Sequence, residues 1–214
     1  MSVSRSERRT RPQTVARREE ILKAAMATFG AKGYNKGPLT EIADQVGMTH
    51  AGILHHFGSK NALLLEVLQY RDATDVEALP EHHIPDGADL FRHLVRTAFL
   101  NAQRAGIVQA YAVLSAESVT DDHPARPFFQ QRYTTLRGEV AHAFRVMCQE
   151  AGVDEPTTVD KAAASILAVM DGLQIQWLLD PTAVDLAEAS EFAIEAIVAQ
   201  VLTPRETPLR RPAD

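Results

Sequence analysis

Thr49, His50, Ala51, Gly52, His55 and His56 bring a hydroxyl, three imidazoles and two residues with little or no side chain together within eight positions. Hydroxyl and imidazole groups both donate and accept hydrogen bonds, and small residues let a backbone come close to a flat surface, so this set suits recognition of base edges. It is poorly arranged for bond-making chemistry. The adjacent pairs His55–His56 and His82–His83 point to different sides, whereas a helical zinc site wants partners four apart, and no third ligand follows at metal spacing. The chain has no glycine-rich phosphate loop, nucleophile elbow or zincin motif, and Cys148 stands four residues behind Phe144, a spacing that favours buried packing. No metal, no cofactor and no enzymatic activity are expected.

The elements that must present this set follow from spacing in Pro38–Lys60, PLTEIADQVGMTHAGILHHFGSK. Ile42 and Val46 share one helical face, Ile53 and Phe57 another, and Met48 plugs the gap between them. Ala43 is small where two helices would cross closely. Gly47 sits where a sharp helix-to-helix turn needs a positive φ, and Thr49 can cap the second helix. With Ile53 and Phe57 turned inward, the polar set and Leu54 are left on or near the outer face of a helix-turn-helix, a shape that fits a DNA groove.

The charge distribution agrees with this. The net charge of −6 is split by position: residues 1–60 hold ten Lys and Arg against five Asp and Glu, and the remainder holds twelve against twenty-three. A basic first quarter facing phosphates and an acidic body that stays off them fit DNA binding better than the overall sign does. A hydrophobic content of 45% over 214 residues supports a real core. One cysteine excludes an internal disulfide and favours a reducing compartment. No hydrophobic run approaches eighteen residues and no apolar stretch follows the basic start, so neither a transmembrane segment nor a signal peptide is expected, and a cytoplasmic location is.

In chain order, residues 1–13 form a flexible basic arm carrying Arg5, Arg8, Arg9 and Arg11. Thr14 offers an N-cap to a first helix whose rows Ile21, Ala25, Phe29 and Leu22, Met26 end at Gly33, a natural C-terminal cap. A helix-turn-helix unit over 14–60 results. Ser59 caps a connecting helix over 60–79. A Pro- and His-rich break then leads into helices near 87–105, 107–119, 125–151, 156–179 and 184–202, and a loose tail follows at 204–214. The expected fold is all-α: a three-helix DNA-binding domain, then a larger helical domain over 61–203.

The stretch RREEILKAAMATFGAKGYNKGPLTEIADQVGMTHAGILHHFGSKNALLLEVL resembles the DNA-binding domain of TetR-family transcriptional regulators. The matching features are the apolar rows ending in Phe29, the Gly33–Tyr34 pair, Ile42–Ala43, Gly47, Ile53, His56–Phe57 and Ser59–Lys60. The resemblance implies a regulator of transcription, most often a repressor, in which a three-helix DNA-binding unit precedes a helical ligand-binding and dimerisation domain. It implies Thr49, His50, Ala51, Gly52 and His55 at the major groove, with Thr40, His56, Lys60 and the Arg5, Arg8, Arg9 and Arg11 arm on phosphates.

Three departures stand out. Pro38 replaces the usual Ser or Thr cap, so Gly37 or the backbone must cap and Pro38 takes the first helical position. Leu54 and His55 replace two aromatic residues, removing a tyrosine hydroxyl from the phosphate contacts. Gly52 costs about 1 kcal/mol of helix propensity relative to alanine, with close approach to a base as the return.

The resemblance also implies a homodimer through the helices near 156–179 and 184–202, in keeping with a palindromic operator read by two recognition helices about 34–36 Å apart. An unknown small-molecule effector is expected among polar and aromatic residues that interrupt apolar faces: Phe91, Tyr111, Ser115, Glu117, Phe128, Phe129, Tyr133, Met170, Asp171, Gln174 and Trp177. The rival reading is a helical small-molecule binding or transforming protein in which the helix-turn-helix is only structural.

Overall fold

The computed structural model describes residues 7–76, 85–154 and 157–204, and every regular element among them is an α-helix. These are α1 (Glu7–Lys36), α2 (Leu39–Gln45), α3 (His50–Phe57), α4 (Lys60–Val76), α5 (Gly87–Asn101), α6 (Ala105–Glu117), α7 (Arg126–Ala151), α8 (Val159–Leu179) and α9 (Leu186–Leu202). The expected all-α fold, with the helix-turn-helix first and a larger helical body after it, is what the chain adopts.

The helices sort into two packed units, Met1–Ala78 with Arg104–Gln130 and Leu79–Gln103 with Gln131–Asp214. The first is larger than the 14–60 stretch marked out by sequence, because α4, α6 and the first turn of α7 pack in it. Its centre is α1, where Ile21, Ala25 and Phe29 are fully buried beside Leu22 and Met26, and which packs on α2, α4 and α6. α1 begins at Glu7, so residues 7–13 are helical backbone where an arm was expected, and Thr14 is an interior residue instead of a cap. Arginines 8, 9 and 11 are good helix formers, while Pro12 lacks the N–H of an interior helical residue.

Near its C-terminal end α1 leaves helical geometry at Gly33, whose φ of 74° and ψ of 172° are open essentially to glycine alone. The turn exposes the Tyr34 N–H, which donates to the Glu117 carboxylate at the end of α6 over 2.7 Å. A Cβ at Gly33 would lie 2.0 Å from Glu117 Oε1, and one at Gly30 would lie 3.1 Å from the Ala110 backbone, so α1 and α6 meet closely along their length. The Tyr34 hydroxyl donates to Asn61, its ring meets His123 edge-on at 5.4 Å, and the Lys60 ammonium lies 4.5 Å over the ring. At the other end of α6, Arg104 binds Asp75 of α4. Asp75 also pairs with buried Arg71 at 3.0 Å, and the Arg71 guanidinium stacks on Tyr111 at 4.4 Å. The buried charge is thus compensated on both sides.

In the second unit Leu90 and Phe91 from α5, Val140, Phe144 and Cys148 from α7, Val159, Ala163, Ile166 and Met170 from α8, and Ile194 and Val201 from α9 form one apolar core. Cys148 is a free thiol in that core. Contrary to the sequence expectation, α8 is apolar enough for an 18-residue window to reach a mean hydropathy of 1.4. The reason is that α8 carries a core face and a second face of alanines and leucines, and its core face is buried against other helices.

Two outcomes follow. Gly33→Ala forces a side chain into a glycine-only conformation and displaces Glu117, and should destabilise the protein by roughly 1–3 kcal/mol, read as a lower denaturation midpoint at unchanged m-value. His123 is buried with Nε2 3.8 Å from Glu117 Oε2. Burial holds it below the ordinary histidine value of 6.5, while Glu117 pulls it upward. A depressed folded pKa means that the unfolded chain takes the proton first. This contribution to stability is therefore complete above the ordinary histidine pKa and is lost as pH falls through the folded value. Glu117→Gln should move the His123 titration, followed by NMR of its ring, to still lower pH.

Candidate nucleic-acid interface

α2 and α3 have seven and eight residues, too short to be stable alone. Ile42, Ala43, Ile53 and Phe57 bury their inner faces, and Gly47 makes the turn between them with φ 63°. Pro38 is the N-cap of α2, with extended φ −80° and ψ 142°, and not its first helical residue as expected. The physical reason is that its carbonyl already accepts the Glu41 N–H at 3.2 Å, so the backbone caps and helical angles begin at Leu39. Thr49 caps α3 as expected, its hydroxyl accepting the Gly52 N–H at 3.1 Å.

With this packing Thr40, Thr49, His50, Ala51 and His55 are exposed, Gly52, Leu54 and His56 half-buried. Gly52 also has a packing reason: a Cβ there would come 3.0 Å from the Met48 methyl that fills the gap between the helices. His56 sits below the ordinary histidine pKa because of burial first, then the nearby His55, Arg18 and Arg17 charges, so at neutral pH it offers a neutral N–H and not a cation. The Lys60 ammonium is held 3.4 Å from the Asn35 carbonyl and over Tyr34, and burial lowers its pKa. Of the basic arm, Arg5 lies outside the described residues. Arg8, Arg9 and Arg11 have described backbone, in α1.

Sequence reasoning missed the groups that hold this face in place. Arg17 donates to the Val46 carbonyl at 3.1 Å; Arg18 donates to the His56 carbonyl, pairs with Glu66 and stacks 4.3 Å over Phe57. The available signal was that Arg18 stands three and four residues before Ile21 and Leu22, and so lies on the flank of α1 that faces inward.

The effector candidates separate into the two units. In the first, Tyr111 packs against Phe129 at 5.4 Å, Phe129 against Phe128 at 5.4 Å, and the Ser115 hydroxyl turns back to the Ala112 carbonyl. Glu117 is engaged by the Tyr34 N–H, because it closes the Gly33 turn. In the second, the Tyr133 hydroxyl donates to Asp171 at 2.6 Å, and Gln174 and Trp177 are buried further along α8. Phe91, 4.6 Å from Phe144, and Met170 belong to the apolar core.

The chain matches the family model of bacterial regulatory proteins, tetR family, over residues 21–67, and that of the BetI-type transcriptional repressor, C-terminal, over residues 88–202. It is 26% identical over 196 residues to the HTH-type transcriptional regulator BetI 2 of Chromohalobacter salexigens, covering 87% of this chain and 89% of that protein. Its fold is similar to that of SmeT, the repressor of the Stenotrophomonas maltophilia multidrug efflux pump SmeDEF, with a TM-score of 0.69 at 18% identity over 92% of this chain and 96% of the other. A transcriptional regulator from Saccharomonospora viridis in complex with choline gives a TM-score of 0.68 at 24% identity, over 84% and 94% of the two chains.

Thr49→Ala removes the side-chain cap of α3 and should cost about 1 kcal/mol, seen as a lower melting temperature; Thr49→Ser, which keeps the hydroxyl, should stay close to the parent.

Proposed function

Because this chain belongs to the tetR family of bacterial regulatory proteins and is a ligand-responsive transcriptional repressor, we propose that two copies of it hold a palindromic operator and leave it when a small molecule binds the helical body. The observation that carries this reading is the outer face of α3, where Thr49, His50, Ala51 and His55 are exposed above a buried Ile53–Phe57 seam. In this reading those residues and Gly52 meet base edges. Thr40, His56, Lys60 and the arginines 5, 8, 9 and 11 meet phosphates. Binding alone accounts for the activity, and no bond is made or broken. A protein that works on the chromosome of a bacterium works in the cytoplasm.

Dimerisation is supported by what the second unit leaves uncovered. Ile175 and Leu179 on α8 are 48% and 81% exposed and Phe192 on α9 is 77% exposed. Ala164 and Ala168 continue the α8 face at helical spacing, as Ala196 and Ala199 continue that of α9. Large exposed apolar groups on neighbouring helices, rimmed by alanines, ask for a partner surface. A dimer would carry two α3 helices, as reading a palindrome requires.

The effector reading rests on Tyr133, Asp171, Gln174 and Trp177 in the second unit and on Tyr111, Ser115 and Phe129 in the first. The choline complex of the Saccharomonospora viridis regulator supports a small molecule as the effector class. A ligand that binds better to the form with misplaced α3 helices weakens DNA binding by the same coupling free energy.

Binding to DNA from the neighbourhood of its own gene, measured by fluorescence anisotropy at graded salt, tests the reading. A dimer with several phosphate contacts should lose about 10³-fold or more in affinity between 50 and 200 mM salt. His50→Ala should weaken the specific site more than random DNA. Absence of any specific site, or equal loss on both DNAs, would overturn it.

A further inference from the structure

The adjacent arginines on α1 each end on a backbone carbonyl of the helix-turn-helix. Arg17 Nη1 donates to the carbonyl of Val46, the C-cap of α2, at 3.1 Å, and is also 2.7 Å from Glu20. Arg18 Nη1 donates to the carbonyl of His56, in the last turn of α3. The final carbonyls of a helix have no partner within it and carry its negative dipole end, so a guanidinium there is favoured both as donor and as charge. Neither contact is local: 29 and 38 residues separate the partners.

Arg18 does more than cap. Its Nη2 pairs with Glu66 of α4, and its plane lies 4.3 Å over the ring of Phe57, the last residue of α3 and part of the buried seam. One planar group therefore touches α1, α3 and α4 at once. Only a guanidinium has the donor fork to reach a carbonyl and a carboxylate together while stacking on a ring; an ammonium is a single point charge. At its N-terminal end α3 is fixed by the Thr49 cap and the Gly47 turn. Its C-terminal end is followed by Gly58 with φ 78°, a turn that does not itself set the direction of the helix.

We infer that Arg18, with Arg17 as the lesser partner, is a positioning residue for sequence discrimination: it fixes the angle of α3 on α1 and α4, so that the outer face meets base edges in one register. This deepens the proposed DNA-binding role and rests on it. A phosphate contact and a positioning contact have different signatures. A cation lost from the phosphate shell lowers the salt slope by about 0.9 and weakens all DNA alike. A cation lost from the α3 anchor leaves the slope unchanged and lowers the preference for the specific site.

The test is Arg18→Lys, which keeps the charge, with Arg18→Ala and Glu66→Gln beside it. Affinities are measured for the specific site and for random DNA at several salt concentrations, and amide hydrogen exchange is followed in the absence of DNA. For Arg18→Lys the expected result is about a tenfold loss on the specific site, the scale of one charged hydrogen bond, with random DNA and the salt slope unchanged. Amides of α3 should exchange faster, while those of α5 and α8 keep the parent rate. A general loss of folding would instead raise exchange throughout and reduce both affinities in parallel, and would overturn the proposal. So would an unchanged preference with unchanged exchange in α3, or a salt slope reduced by one phosphate. If the parent protein shows no specific site, the DNA-binding reading fails, and the exchange measurement still decides whether Arg18 holds α3.

Discussion

The hydrogen bond from the Tyr34 N–H to the Glu117 carboxylate closes the one interior point at which α1 leaves helical geometry, and the first unit is built around it. The Gly33 conformation turns that N–H away from the helix, and a half-buried amide with no acceptor would cost roughly 1–3 kcal/mol. Its acceptor comes from the last residue of α6, 83 positions further along the chain. That requirement is one reason α6 packs beside the DNA-reading helices. The close approach of Gly30 to Ala110 and the Tyr34–His123 ring contact lie on the same seam.

A second constraint is the shortness of α2 and α3. Helices of seven and eight residues gain too few internal hydrogen bonds to repay their nucleation. Their shape is set from outside: apolar contacts through Ile42, Ile53 and Phe57, backbone capping at Pro38, a hydroxyl at Thr49, and Lys32 of α1 bound to Glu41 at 2.5 Å. The outer face of α3 is therefore set by α1 and α4 as much as by α3 itself. Arg17 and Arg18 are tied to carbonyls inside the unit, while the exposed outer face of α3 carries hydroxyl and imidazole.

Much of this was legible in the amino-acid order, and the limits have a physical origin. The rows Ile21, Ala25, Phe29 and Ile42, Val46 mark helix faces because side chains four apart share a side, and Gly33, Gly47, Thr49 and Ser59 mark ends because each solves a local backbone problem. Ser59 accepts the Ala62 N–H at 3.0 Å as its place before Lys60 implied. Periodicity shows that a face is buried but not against what. Glu117 reads in sequence as a polar residue in an apolar helix, and nothing in its local pattern shows that its carboxylate accepts the Tyr34 N–H of a distant turn. The start of α1 was set late because Thr14 and Pro12 look like boundary residues, although neither forbids a helix that began earlier. On α8 both faces are apolar or small, so composition could not tell the core face of Val159, Ile166 and Met170 from the uncovered face of Ile175 and Leu179.

The two ends of α6 suggest how a weak signal can be enough. Its start is bound through Arg104 and Asp75 to α4, where Arg71 ties the same carboxylate to the ring of Tyr111. Its end is bound through Glu117 to α1. A helix held at one end could tilt while its neighbours stayed still, but a helix held at both passes any displacement to α1 and α4 together. Those two helices are also the ones that hold α3, through Arg18 and Glu66. A shift of either would thus reach α3 through Arg18 and the Phe57 ring on which it stacks. A tenfold change in operator affinity corresponds to only about 1.4 kcal/mol, the scale of one or two charged hydrogen bonds. The polar contacts at the ends of α6 are of that number and kind.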